Sequence, residues 1–266
     1  MENIAIIGAG MIGSAIAKSL LKKKYEGKIF ATGLEIERLK ELEGLGVTIT
    51  DNKQAAKEAS IIFICVKPGD VGSVLKEISS EIEGRLVVST AATIPLSFYT
   101  KLVPKAKFIR IMPNIAVLVQ ESFTAYCCSE NVTAEDKKKA KEILDMFGKS
   151  EEVDEKYMDA ITALSGSGPG YISVIMEALM YAGLKVGLPR DLALYSSAQT
   201  VLGTGKLLLE TREHPAKIKD MVTTPGGTTI EAIYVLEGSG VRQALMKAVE
   251  EAAKKCQIIR EKLGVN

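Results

Sequence analysis

The sequence predicts an α/β protein in two parts, a doubly wound parallel sheet over residues 1–152 followed by an all-helical domain over residues 153–266. Three observations carry this. Up to about residue 150, short Ile- and Val-rich runs alternate with amphipathic stretches, which implies right-handed crossovers within a parallel sheet. Beyond about residue 155 the strand-like runs stop and helical stretches follow one another. The first strand-like run also leads directly into a Gly-x-Gly-x-x-Gly sequence, the glycines being Gly8, Gly10 and Gly13.

The elements follow in order. Residues 3–7, 28–32, 47–50, 61–66, 85–90 and 107–112 read as strands. Several of them lack polar alternation, as expected of strands covered on both faces. Residues 12–24, 35–45, 53–59, 71–78 and 95–102 read as the intervening helices, the last with Pro95 in its first turn and Thr93 as its cap. In the second part, helices are expected over 170–187, 189–211, 215–222, 228–237 and 240–263. Pro189 and Pro215 suit first turns, and Gly187 suits a helix end. Residues 171–184 are strongly apolar and include the small residues Ala178, Ala182 and Gly183. A helical domain of this size with such faces is expected to bury them against a second subunit.

Composition excludes several classes. Thirty-four basic residues against thirty-three acidic ones leave a net charge of +1, with no basic stripe. A nucleic-acid or anionic-membrane role therefore has no electrostatic footing. No apolar run is long enough to span a bilayer. Residues 1–4 carry no basic leader, and the expectation is a cytoplasmic protein. Cys127 and Cys128 are adjacent, Cys65 lies in an apolar run and Cys256 stands apart. This is neither a disulfide framework nor a zinc spacing, so reduced, buried thiols and no metal are expected.

Ile7-Gly8-Ala9-Gly10-Met11-Ile12-Gly13 leaves a strand and opens a helix. That is the context in which the pattern signals dinucleotide binding: Gly8 for the tight turn, Gly10 for approach of the pyrophosphate, Gly13 for helix–strand packing. The second strand ends in Ala31-Thr32-Gly33, without the acid that usually holds an NAD ribose. Glu35 comes late and suits a helix N-terminus, while Arg38 is either a 2′-phosphate ligand or a solvated residue. The reading is NADPH, with NADH open. Val66-Lys67-Pro68 and Thr90-Ala91-Ala92 leave later strands at the carboxyl edge of the sheet, where the nicotinamide half should lie. Lys67 is read as a cofactor contact rather than a surface charge.

Two further stretches are rich in glycine: the loop 164–171, Leu-Ser-Gly-Ser-Gly-Pro-Gly-Tyr, and Thr224-Pro225-Gly226-Gly227-Thr228-Thr229. The second opens a helix and makes a nest of backbone amides suited to a small carboxylate. The one histidine, His214, precedes Pro215 at a helix start, where capping or exposure accounts for it better than catalysis.

Together with Arg110-Ile111-Met112-Pro113-Asn114, these motifs resemble the pyrroline-5-carboxylate reductase family over essentially the whole chain. The resemblance implies a Rossmann-type domain and a helical dimerisation domain, with homodimers that assemble as a decamer of five dimers in many relatives. It implies reduction of 1-pyrroline-5-carboxylate to L-proline by hydride transfer from NAD(P)H. By position, residues 7–12 would hold the pyrophosphate, Gly33 and Asn52 the adenosine ribose, and Val66–Pro68 with Thr90–Ala92 the nicotinamide half. Gly227, Thr228 and Thr229 would bind the substrate carboxylate, with the Thr229 hydroxyl near the ring nitrogen, and Glu155 matches a substrate-contacting acid in some relatives. The chain departs from the family where Thr93 stands for Gly, Ile115-Ala116 for Thr-Pro and Ser122 for Gly. These departures bear on the nicotinamide pocket and the tolerated ring more than on the reaction. A reductase of another cyclic imino acid, or a non-catalytic NADP-binding regulator, remains open at this point.

Overall fold

The computed structural model describes residues 2–265. Strand β1, Ile4–Ile7, shows no polar alternation because β2 (Ile29–Thr32) flanks it on one side, β4 (Ile61–Ile64) on the other, and helices cover both faces. The sheet continues through β3 (Thr48–Ile49), β5 (Leu86–Ser89), β6 (Lys107–Met112), β7 (Ser122–Cys128) and β8 (Gly148–Glu152), in the order β3-β2-β1-β4-β5-β6-β7-β8. The direction of winding reverses between β1 and β4, which opens a crevice beyond their carboxyl ends.

Alternate residues feed two cores. Ala5, Ile7, Ile62, Ile64, Val87 and Phe108 face one way, toward α3 (Asn52–Glu58), α4 (Val71–Glu77) and α5 (Leu96–Leu102). Ile4, Ile6, Ile61, Phe63, Val88 and Ile109 face the other, toward α1 (Met11–Lys22), α2 (Ile36–Gly44) and α6 (Ala134–Leu144).

The structure adds to the expected elements and corrects some of them. The six expected strands are parallel, but β7 runs antiparallel to β6, and β8 follows β7. Neither β7, β8 nor α6 was expected. Thr93 is not a helix cap: it adopts φ +69° and its hydroxyl donates to the Ala92 carbonyl. Pro95 stands one residue before α5, at its N-cap. The stretch 164–171 is not a loop. A short helix α7 (Met158–Ile161) runs into a π-helical turn, Thr162–Gly166, and only Ser167 separates that turn from α8 (Gly168–Lys185).

Two compact units emerge. One ends at Ser167 and takes up the chain again from Glu251; the other is Gly168–Glu250. The second holds α8, α9 (Arg190–Thr211), α10 (Pro215–Met221), α11 (Thr228–Gly238) and the first turns of α12 (Val241–Leu263). Gly183 lets α8 approach α9, since a Cβ there would come within 2.8 Å of the Ala193 Cβ. His214 caps α10, its Nδ1 accepting from the Ala216 amide.

Candidate functional site

The crevice at the ends of β1 and β4 is shaped by glycine. Gly8 has φ +94°, and a Cβ on it would lie 2.7 Å from Val66 Cγ1 and 2.9 Å from the Cys65 carbonyl carbon. Gly13 packs against the Gly8 carbonyl oxygen, which a Cβ would approach to 2.5 Å. Gly10, in contrast, faces open space, with Glu35 Oε1 at 3.7 Å the nearest atom to a notional Cβ.

The loop's amides divide in two groups. Gly8 and Ala9 donate to the Thr32 carbonyl at 3.1 and 2.7 Å, and Gly10 donates to Gly8 at 2.8 Å. These three shape the turn. Met11, Ile12 and Gly13 are the first turn of α1, where amides have no intrahelical acceptor and the helix dipole favours an anion. The residues present therefore fit a dinucleotide: a cradle open at Gly10, with three donors behind it.

Around this cradle, Gly33 lies close enough to the Ala9 nitrogen that a Cβ would sit 3.3 Å away. Asn52 accepts from the Thr32 hydroxyl at 2.6 Å and donates to Glu77 at 2.8 Å. Arg38 pairs with Glu35 at 2.5 Å, both partly exposed. Val66 is half-buried, Lys67 is exposed, and Pro68 opens a 3₁₀ turn, Pro68–Asp70. Thr90 donates its amide to Ile64 at 3.0 Å, and Ala91 donates to the Ser89 hydroxyl at 3.2 Å. The Ser89 hydroxyl in turn meets the Tyr99 phenol at 2.7 Å. Burial raises the Tyr99 phenol above its ordinary value and pushes the Cys65 thiol, beneath Gly13, up to about 12. Cys65 is therefore a protonated packing group at neutral pH. Among the described residues no group of His, Cys, Asp or Glu could hold a metal, and no helix is long and apolar enough to cross a membrane.

The departures have local accounts. Thr93 keeps the left-handed backbone that glycine adopts freely, at about 1 kcal/mol or more for a β-branched residue. The Ser122 hydroxyl accepts from the Asn114 amide at 3.0 Å, and the Ala116 amide, which a proline would lack, donates to Asn114 Oδ1 at 3.0 Å. Asn114 Nδ2 reaches the Ser165 carbonyl at 3.2 Å, which ties β6 to the π-helical turn.

In the second unit, Gly226 has φ +69°, and a Cβ on Gly227 would lie 2.4 Å from Thr224 Oγ1. Gly227 is the N-cap of α11 and provides no side-chain cap; its amide donates to the Thr224 carbonyl. The first-turn amides of α11 at Thr228, Thr229 and Ile230 have no intrahelical acceptor, and Gly226 and Gly227 let the turn before them close tightly on Thr224.

Sequence reasoning assigned no role to Arg110. It is one of the largest fully buried side chains, and it meets Glu155 at 3.1 Å and Asp159 at 3.5 Å. Glu155 also accepts from the Leu96 amide at 2.7 Å. The available signal was a single guanidinium inside an apolar strand, which must find carboxylates when buried.

A glycine-lined crevice at a winding reversal, backed by helix-terminal amides, defines a protein built to bind a dinucleotide. Residues 155–259 match the family model for pyrroline-5-carboxylate reductase dimerisation, and residues 3–93 match that for NADP oxidoreductase, coenzyme F420-dependent. A pyrroline-5-carboxylate reductase of Methanosarcina acetivorans is 41% identical, over 98% of this chain and 100% of its own. Among solved structures, the pyrroline-5-carboxylate reductase of Coxiella burnetii superposes with a TM-score of 0.89 at 33% identity, covering 96% of this chain and 97% of that one. The Plasmodium falciparum pyrroline carboxylate reductase, solved with NADP bound, gives 0.86 at 30% identity, covering 97% of each. The chain belongs to the pyrroline-5-carboxylate reductase family of NAD(P)H-dependent oxidoreductases, and its helical region is that family's dimerisation domain.

Proposed function

We propose that the chain reduces 1-pyrroline-5-carboxylate to L-proline in the cytoplasm, with NADPH as the preferred donor and the roles assigned below. The observation that carries the substrate assignment is the glycine turn before α11. Its two glycines allow a positive φ at Gly226 and a close approach of Gly227 to Thr224, so that three helix-terminal amides follow a tight turn, with the Thr228 and Thr229 hydroxyls beside them. In this reading Gly227, Thr228 and Thr229 bind the carboxylate, and the Thr229 hydroxyl orients the ring nitrogen or relays its proton through water. A cyclic imine bound protonated is already electrophilic, so the chain's task is position and electrostatics rather than strong acid–base chemistry. A bound reduced nicotinamide supplies the hydride.

The first unit would hold the nucleotide. Ile7 to Gly13 form the pyrophosphate cradle, with the amides of Met11, Ile12 and Gly13 as donors. Gly33 and Asn52 flank the ribose, and Val66, Lys67, Pro68, Thr90, Ala91 and Ala92 line the nicotinamide half. The NADPH preference rests on the neutral end of β2 and on Arg38 beside it. The Arg38–Glu35 pair is exposed and worth at most about 1 kcal/mol, so a 2′-phosphate can take the guanidinium from it. The exposed apolar faces of the helical unit support a homodimer, with a decamer of five dimers as the further assembly. For Glu155, the family resemblance suggests a substrate contact, whereas its bonds to Arg110 and the Leu96 amide suggest a positioning role.

Thr229→Ala tests the assignment. Turnover of the imine should fall by about tenfold to a hundredfold while the dissociation constant for NADPH stays within about twofold. Unchanged steady-state kinetics would remove Thr229 from the reaction.

A further inference from the structure

Four charged side chains of the first unit, Arg260, Asp159, Arg110 and Glu155, form a line. Arg260, near the end of α12, places Nη2 2.6 Å from Asp159 Oδ2. Asp159 Oδ1 lies 3.5 Å from Arg110 Nη2, and Arg110 Nη1 donates to Glu155 Oε1 at 3.1 Å. The same Glu155 oxygen accepts from the Leu96 amide, the first of α5, at 2.7 Å. Arg110 is 2% exposed, and its Nε and Nη2 have no hydrogen-bond partner; neither has Asp159 Oδ1.

Stability alone explains the buried centre of this line, Arg110 with Asp159, poorly, because apolar side chains of similar volume usually serve as well as a buried ion pair. What the line ends on is more informative. Leu96 closes the segment that begins at Ala91, and inside it Thr93 is held at φ +69° with 2% exposure. A strained residue of this kind persists only where its surroundings over-determine it. Upstream, the Thr90 amide bonds to Ile64 and the Ala91 amide to Ser89. Downstream, the anchor is the Leu96 amide on Glu155.

We propose that Glu155 and Arg110 are positioning residues that hold residues 91–95, the floor of the nicotinamide half, in this strained conformation, and that Asp159 and Arg260 tie the clamp to the last turns of α12. This rests on the assignment of Thr90–Ala92 to the nicotinamide. It gives the carboxyl-terminal helix a part in cofactor geometry without contact to the cofactor. It also separates Glu155 from the substrate: the carboxylate acts through a backbone amide.

The test uses the full-length chain and three readouts: amide hydrogen exchange of residues 90–97 without ligand, the fluorescence of bound NADPH, and kcat against KM for the imine. Glu155→Ala should raise exchange in that segment, reduce the fluorescence enhancement, and lower kcat about tenfold with the imine KM within about twofold. Glu155→Gln keeps an acceptor for the Leu96 amide and should retain most of the protection and turnover. Adding Thr93→Gly to Glu155→Ala should restore kcat, because glycine adopts the same backbone without strain. Arg260→Ala, at the partly exposed end of the line, should raise exchange in the segment about twofold, and it decides the matter if Glu155→Ala does not fold. The proposal is overturned by unchanged exchange over 90–97 in Arg260→Ala, or by an imine KM raised equally in both Glu155 variants without rescue by Thr93→Gly, which is the behaviour of a substrate contact. If the wild-type chain oxidises no NADPH with the imine, the proposed function fails, while exchange and fluorescence still decide the clamp.

Discussion

Gly8 and Gly10 stand two residues apart and should fail in different ways. Gly8 combines φ +94° with a notional Cβ 2.7 Å from Val66, so Gly8→Ala should destabilise the fold by about 2 kcal/mol or more, seen as a lowered denaturation midpoint. Gly10 has φ −73° and an open side, so Gly10→Ala should fold normally. The new methyl occupies the pyrophosphate approach, and calorimetry should show NADPH binding weakened about tenfold, or about 1.4 kcal/mol. Equal stability loss in both variants would contradict the division of labour within the loop. The tight turn at Gly8 and the close packing at Gly13 were legible in the sequence because a glycine's place in a strand–turn–helix junction is a local fact. Arg110 was not legible in the same way. Its strand neighbours show that it is buried, but its carboxylates come from residues 155 and 159, and that meeting is tertiary.

At the scale of elements, the inner parallel strands β1, β4 and β5 were legible because burial on both faces leaves apolar runs such as Ile61–Ile64. β8, Gly-Lys-Ser-Glu-Glu, lies at the sheet edge with mostly exposed side chains and carries no such signal. Helix α6 was missed for a related reason: Ala-Glu-Asp-Lys-Lys-Lys is dominated by charge, and only Ala140, Ile143 and Leu144 are buried. Its start is set by a capping box in which the Asp136 amide donates to the Thr133 hydroxyl and Asp136 accepts from the Thr133 amide. Burial opposes ionisation of Asp136, but hydrogen bonds from Lys107 and Thr133 outweigh it and hold the carboxyl below the usual range. A lowered folded-state pKa means that this stabilisation is fully present at neutral pH and is lost as pH falls through that lowered value. Asp136→Asn should therefore flatten the acid side of the stability profile, measured by urea denaturation across acidic pH. An unchanged profile would take the carboxylate out of the acid response.

For the whole molecule, the two-part reading follows from the change of pattern near residue 155, and the helical unit explains its own apolar faces. Val174 is 68% exposed and Leu209 79%, and few residues of that unit are buried within one chain. Helices of this kind bury their faces between subunits. Val174→Asp with Leu209→Asp should shift the sedimentation profile toward the monomer and lower the thermal midpoint; an unchanged profile would place the subunit contact elsewhere. Family membership sets the reaction class, whereas the proposal of NADPH rests on one neutral strand end and one exposed ion pair. The most direct measurement follows the loss of reduced-nicotinamide absorbance with NADPH and with NADH, each with and without racemic 1-pyrroline-5-carboxylate. The account predicts oxidation that depends on the imine and is faster with NADPH. Tight NADPH binding without oxidation, on this imine or its six-membered analogue, would contradict it.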